Sequence, residues 1–347
     1  MFLLLQLGKD MNKFKRKYAT SLILMSSWIG ILSADQSLEN CNAEISACST
    51  VESRCCSQPS CIDEFEGGFF IRGDLLYWKS HLSGLELDFG TGAITQVTTD
   101  GVVITNSTEL DEDPHFKWNV DYRIAAGYQS SCSPFVIEGV WTHFQDSSHR
   151  TNGLNHARTT LRFDQIDAVF AYRTSVNSCL TLNPFVGVRG AIIHEKIKSL
   201  LITDITFSPT SIATETRTFD DHQNYRGIGP VIGIQGDFDI GCGFGVYGEA
   251  AVSVLYGNYK VHYNDSDVLT APVSREFFSV NRKKLHAFDS NIDLVLGIRW
   301  VTCIGDSFPV AMKLGFEHHQ YFNQCRLGSD RGDLSLDGGV FSVETLF

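Results

Sequence analysis

Residues 116–128 read Phe-Lys-Trp-Asn-Val-Asp-Tyr-Arg-Ile-Ala-Ala-Gly-Tyr. Every second residue is apolar or aromatic: Phe116, Trp118, Val120, Tyr122, Ile124, Ala126 and Tyr128. Between them stand Lys117, Asn119, Asp121, Arg123, Ala125 and Gly127, which are charged, polar or small. Side chains of a strand point alternately to its two faces, so this stretch is a strand with one greasy and one polar face. Trp118 and Tyr128 stand near its two ends.

The same period recurs along the chain. Phe69, Ile71, Leu75 and Tyr77 oppose Arg72 and Asp74, although Leu76 and Trp78 blur that strand. Phe244, Val246, Ala250, Val252, Val254 and Tyr256 oppose Gly245, Glu249 and Ser253. Phe288, Ile292, Leu294, Leu296, Ile298 and Trp300 oppose Asp289, Asn291, Asp293 and Arg299. Val310, Met312, Leu314 and Phe316 oppose Lys313, Glu317 and His319. Ten strands are predicted, near 67–79, 115–128, 135–145, 159–174, 184–198, 224–240, 243–258, 287–302, 309–322 and 333–347. Many run 12–16 residues, against ~5–6 in ordinary globular sheets. Their connections alternate between long polar stretches (80–114, 146–158, 199–223, 259–286, 323–332) and short ones (129–134, 175–183, 241–242, 303–308). Long strands with one aromatic-rich and one charged face, joined by alternating short and long connections, are the signature of an outer-membrane barrel. The fold expected is all-β: a transmembrane antiparallel β-barrel of at least 10 strands, with short periplasmic turns and long extracellular loops. Stretches 80–114 and 259–286 leave room for an extra hairpin each, giving 12–14 strands. Pro230 removes a ladder hydrogen bond and predicts a bulge.

Composition agrees. With 28 Lys+Arg against 40 Asp+Glu the net charge is -12, which excludes a nucleic-acid partner. A mean hydropathy of -0.05 is too low for a bundle of membrane helices. Glycine (30) and phenylalanine (24) are frequent and proline (8) scarce, a mix that suits turn-rich strands with aromatic faces.

The N-terminus reads as an address. A basic region, Met11–Tyr18, precedes an apolar run, Ala19–Leu32, and small residues Ser33-Ala34. This predicts a signal peptide over 1–34, with Met11 the better start. Residues 35–66 form a cysteine-rich periplasmic segment, and 67–347 the barrel. Cys41, Cys48, Cys55, Cys56 and Cys61 contain no C-x-x-C pair and no histidine between them, so disulfides after export are favoured over zinc. Each short connection carries one further cysteine: Cys132, Cys179, Cys242 and Cys303. Cys325 falls instead in the last long connection. Phe347 ends an amphipathic strand, which resembles the assembly signal read by the barrel assembly machinery.

Two stretches carry a family resemblance. Gly73–Lys79 (GDLLYWK), following Gly67-Gly68-Phe69-Phe70, resembles the first-strand motif of the Legionella and chlamydial-type major outer membrane porins. Gln320–Gln324 (QYFNQ), followed by Gly332–Leu336 (GDLSL), is similar to the end of the same family. The resemblance covers 67–347 in layout and is specific in these two stretches. The number of cysteines tips it toward the chlamydia-related branch of Gram-negative bacteria. It implies a multi-pass outer-membrane porin, usually a homo-oligomer, with disulfide-linked envelope proteins as partners. The chain departs from the family in ending Val343-Glu344-Thr345-Leu346-Phe347, where a more basic or acidic-aromatic ending is expected.

Candidate chemistry mostly dissolves. Gly241-Cys242-Gly243-Phe244-Gly245 opens a strand, whereas a phosphate-cradling loop must open a helix. His318 and His319 are adjacent in a strand and face opposite ways. Arg-Gly-Asp occurs at Arg72–Asp74 and Arg331–Asp333. No catalytic set, metal site or cofactor site emerges, so no enzyme is expected. Charge confined to one strand face predicts a lumen lined by Arg72, Asp74, Lys117, Asp121, Arg123, Arg299, Lys313 and Glu317. The function expected is passive diffusion of small hydrophilic solutes and ions. The alternatives are a plugged structural barrel of a disulfide-linked envelope coat, or a surface adhesin acting through the long loops.

Overall fold

The computed structural model describes residues 67–84, 87–88, 94–98, 101–105, 111–112, 114–130, 133–152, 155–208, 211–270, 275–304, 308–327 and 331–347. The expected signal peptide, the cysteine-rich segment and Cys132 lie outside the described residues. In chain order the strands are β1 (Gly68–Leu82), β2 (Leu87–Asp88), β3 (Ile94–Thr98), β4 (Gly101–Thr105), β5 (Asp111–Glu112), β6 (Asn119–Gln129), β7 (Phe135–Asn152), β8 (Asn155–Tyr172), β9 (Thr174–Ser175), β10 (Leu180–Ser208), β11 (Ser211–Gly241), β12 (Phe244–Thr270), β13 (Arg275–Ile304), β14 (Phe308–Cys325) and β15 (Gly332–Leu346).

Ten of these form a closed antiparallel barrel in the order β11-β12-β13-β14-β15-β1-β6-β7-β8-β10, and β10 pairs back onto β11. The two-residue β9 adds on to β10. The first and last barrel strands meet from Phe70↔Leu346 to Leu82↔Leu334. The Phe347 N–H donates to the Phe69 carbonyl at 2.7 Å, so the chain end is tied into the wall.

The alternation read from the sequence places greasy residues outside. Phe69, Ile124, Phe288, Leu296 and Leu314 are all exposed, and Phe288 reaches 74 %. A water-facing surface rarely carries so extended an apolar area, whereas a lipid-facing one must. Aromatic pairs border this belt. Phe69–Tyr128 and Phe135–Tyr172 lie toward the short turns, at 5.0 and 5.5 Å. Tyr77–Trp118 and Tyr256–Phe288 lie at the other border, at 5.1 and 5.0 Å. From Trp118 to Tyr128 is ten residues of chain, about 25 Å of membrane normal at ~3.3 Å per residue and ~40° of tilt.

The strand count stays at ten, because neither long connection adds a barrel strand. In 80–114, β2–β5 and β3–β4 form two separate two-stranded sheets. In 259–286, Tyr263 pairs with Asn281 and Asp267 with Phe277, so the residues lengthen β12 and β13. The stretch 199–223, expected as a loop, likewise continues β10 and β11, with Leu201 opposite Arg217. β10 to β13 therefore run 27–31 residues. A crossing needs only ~9–11 residues, so one side of the barrel continues far beyond the belt. Pro230 produces no bulge: its register with Val188 is continuous, and only the pairing toward β12 skips Gly229 and Pro230. The β11–β12 turn is tight, with φ of 117° at Gly241, 56° at Cys242 and 79° at Gly243, values that explain the glycines.

Inside, large aromatics lie across glycines of their own and nearby strands. The Tyr225 ring occupies the space of the missing side chains at Gly227 and Gly257, and Tyr247 does the same at Gly297 and Gly315. Gly257→Val should therefore displace Tyr225 and cost about 1–3 kcal/mol. Urea unfolding of the refolded barrel, followed by heat-modifiable mobility, measures this. The double variant Gly257→Val/Tyr225→Ala should recover part of the loss, because the two positions share one volume.

Candidate functional site: the barrel lumen

The inward faces of ten strands meet in the lumen, and its content changes in three steps from the short-turn end. The first is a polar vestibule of about 310 Å³ whose lining includes Arg72, Asp237, Asp239, Arg299, Lys313 and Glu344. Arg299 pairs with Asp239 and, at 3.6 Å, with Asp237, while Lys313 reaches Glu344 at 3.1 Å.

The second step is a layer of buried ion pairs around a smaller cavity of about 120 Å³. Arg72 of β1 reaches Glu138 of β7 at 2.9 Å and its own strand's Asp74 at 3.4 Å. Arg123 of β6 crosses to Glu317 of β14, donating two bonds of 2.9 and 2.8 Å, and lies 3.4 Å from Asp74. Arg189 of β10 donates twice to Asp167 of β8, each at 2.9 Å, and also pairs with Asp293 of β13. His319 bridges two carboxylates, with Nδ1 2.7 Å from Asp293 and Nε2 3.2 Å from Glu317. The Arg123 and Arg189 forks each match one carboxylate with two parallel bonds, the geometry that gives such pairs their strength. With both His319 nitrogens held by carboxylates, neither is left to serve as a base.

The third step is apolar. Trp78 lies beneath the Arg123 guanidinium at 5.4 Å and against the rings of His319 and Phe144 at 4.9 and 5.6 Å. Leu76 sits just before it on β1, and with Phe144, Phe163, Ile193, Tyr225 and Leu336 it fills the barrel with essentially no exposed surface. Leu76 and Trp78, which blurred the alternation of the first strand, are the inward-facing start of this plug. The end of β14 and the residues just after it complete the plug. Asn323 takes a left-handed φ of 55°, and Gln324, Cys325 and Leu327 are buried. Gln223 donates to the Gln324 carbonyl at 2.8 Å, and Arg326 reaches Asp289 at 3.1 Å while lying 4.2 Å over the Tyr259 ring. Part of the stretch expected as the last outer loop thus folds into the mouth. Its Arg-Gly-Asp triplet is tied down as well, since the Asp333 carboxylate accepts the Asn323 N–H at 2.7 Å.

Of the residues expected in the lumen, Arg72, Asp74, Arg123, Lys313 and Glu317 line the cavity of the ion-pair layer, and Arg299 lines the vestibule. Asp121 accepts the Gln145 N–H at 2.8 Å and lines neither cavity. Lys117 is exposed in the segment before β6, where the alternation has not begun, and its neighbour Phe116 turns into the plug. Glu138, Asp167 and Arg189 escaped notice, although each is a charge set among apolar or small neighbours (Val136-Ile137, Ala168-Val169-Phe170 and Val186-Gly187-Val188), a usable signal. Cys179, expected as a disulfide partner, is a free thiol.

The family described as Legionella pneumophila major outer membrane protein precursor matches residues 64–346. No curated protein matches the chain. Among solved structures, the outer membrane protease OmpT from Escherichia coli shares 9% identity at a TM-score of 0.38, covering 80% of this chain and 95% of that one. A Pseudomonas aeruginosa FadL homologue shares 8% at a TM-score of 0.30, covering 81% and 90%. The attachment invasion locus protein Ail of Yersinia pestis shares 11% at 0.23, covering 81% and 100%. These likenesses are too distant to carry a functional argument.

Removing one partner of a buried ion pair leaves the other charge uncompensated. Arg123→Ala, which strands Glu317 and Asp74, should cost about 3–5 kcal/mol. Urea unfolding in lipid vesicles, followed by tryptophan fluorescence, measures the loss.

Proposed function

The chain belongs to the Legionella major outer membrane protein family, and from that membership we propose that it is a porin for small hydrophilic solutes and ions whose lumen is closed at rest. The observation that carries this reading is the buried charge layer. Filling a barrel for stability alone favours apolar side chains, because a buried ion pair is often no better than a hydrophobic replacement. Charges of both signs around a polar vestibule instead support a path meant to hold water and set a transverse field across it. Trp78 and the apolar side chains beyond it act as the gate, a dry constriction that passes ions only when displaced.

One observation favours a second reading. The plug is as fully buried as an ordinary protein core, with Leu76, Phe144, Ile193 and Leu336 at 0 % exposure, which suits a permanently filled structural barrel of the envelope. In either case the reading assigns no reaction to the barrel. Cysteines on the short-turn rim and in 41–61 support covalent links to copies of this chain or to periplasmic proteins.

Single-channel recording of the refolded chain in a planar bilayer, with and without reductant, separates the two readings. The wild type should give rare steps, and Trp78→Ala should raise their frequency on the order of tenfold, the factor that ~1.4 kcal/mol of lost closure commands. Silence from folded wild type and folded Trp78→Ala alike would end the porin reading in favour of the filled barrel.

A further inference from the structure

Beyond the lipid-facing belt, the outward face changes character on the side built by β8 and β10 to β13. Strand register sorts its side chains into rows. The last apolar row is Ile166, Gly190, Ile228, Tyr256 and Phe288. The next holds Asp164, Ile192, Arg226, Asn258 and His286. Then come Arg162, His194, Asn224, Lys260 and Lys284, followed by Thr160, Lys196, His222, His262 and Arg282. Each row lies two residues further along the strands. With tilt, Arg226 and Lys260 stand about 5 and 10 Å past the last apolar row. Arg226 thus falls within one headgroup layer, which is ~5–8 Å thick, and Lys260 just past its outer edge.

The two acids in and beside these rows are already engaged. Asp164 is held by His143 at 2.6 Å and by Arg162 at 3.0 Å, and Asp220 by Lys196 and Lys198 at 3.0 and 3.1 Å. Arg226 and Lys260 have no ion pair among the described residues, and they border an outward groove of about 320 Å³. His194, Asn224 and Asn258 complete its lining, and no carboxylate enters it. In a chain of net charge -12, a groove with cationic and neutral walls alone runs against the average surface. It is continuous with the exposed apolar side chains of Ile228, Tyr256 and Phe288 below it.

We infer that this groove binds the phosphate groups of a glycolipid headgroup in the leaflet facing the long hairpins. Short turns and chain ends lie on the periplasmic side of such barrels, so this leaflet is the outer one. The Arg226 guanidinium presents a planar fork to two phosphate oxygens, and the Lys260 ammonium adds a point charge beside it. Asn224 and Asn258 offer amide N–H groups to sugar hydroxyls or to the remaining oxygens. The acyl chains lie down the strands against the apolar rows. The inference rests on the outer-membrane setting and not on the lumen's being a channel.

The test uses the refolded full chain in neutral detergent, titrated with diphosphoryl lipid A, with lipid A stripped of both phosphates, and with inorganic phosphate. Bound lipid is read by native mass spectrometry. Diphosphoryl lipid A should be retained, less so at high salt, and the dephosphorylated form bound at least about tenfold more weakly. Arg226→Gln/Lys260→Gln should lose about tenfold or more in affinity. Lys283→Gln/Arg331→Gln removes the same charge elsewhere and should bind as the wild type. Heat-modifiable mobility reports folding of each variant, and the single variants R226Q and K260Q replace the double one if it does not fold. Equal retention of the two lipids, or wild-type binding by R226Q/K260Q, overturns the inference. So does full displacement of the lipid by equimolar inorganic phosphate, which would mark a site for free anions.

Discussion

In hydrocarbon no water is available to a backbone amide, so every N–H and C=O within the belt must find a partner in the protein. This chain meets that demand by closing its sheet, with β15 laddered onto β1 and β10 onto β11. Closure leaves no free edge within the membrane, and it also fixes the circumference. A wall of ten strands encloses a space that inward side chains can nearly fill. The apolar plug, the ion-pair layer and the small vestibule are what that fixed width leaves room for.

Width also explains how the interior is divided. Arginines at 72, 123 and 189 are long enough to reach carboxylates on other strands, so each ties together parts of the wall that the backbone ladders do not join directly. Trp78 stands at the boundary, with a guanidinium on one side and the Phe144 ring on the other. Where the barrel leaves the membrane, the end of β14 and the residues after it fold inward, and Gln324 and Arg326 satisfy polar groups left by Gln223, Tyr259 and Asp289. Two polar zones and one dry zone therefore alternate along the axis.

Much of this was legible in the residues. The alternation from Trp118 to Tyr128 gives strand, face and membrane setting together, and the ten strands follow from its repetition. Sequence failed where the environment stops imposing contrast. Past Ile228 or Tyr256 the outer face of β11 and β12 turns polar, so His222, Gln223, Lys260 and Asn264 read as loop although the ladder continues. The plug was hidden for the opposite reason. Leu76 and Trp78 face inward among apolar neighbours, so that strand is greasy on both sides and its period fades. Lys117 was misplaced because alternation was extended two residues beyond the first ladder pair.

The unequal heights of the strands have a consequence for the envelope as a whole. β10 to β13 continue beyond the last apolar row, by 18 residues from Gly190 to Ser208 in the case of β10, about 60 Å of strand at ~3.3 Å per residue. β1, β6 and β15 end close to the belt. Seen from above, the barrel has a compass bearing, with a tall rampart on one flank and a low sill on the other. In a crowded leaflet, ramparts set neighbours apart while sills allow wall-to-wall approach. A sheet of such tiles acquires a grain.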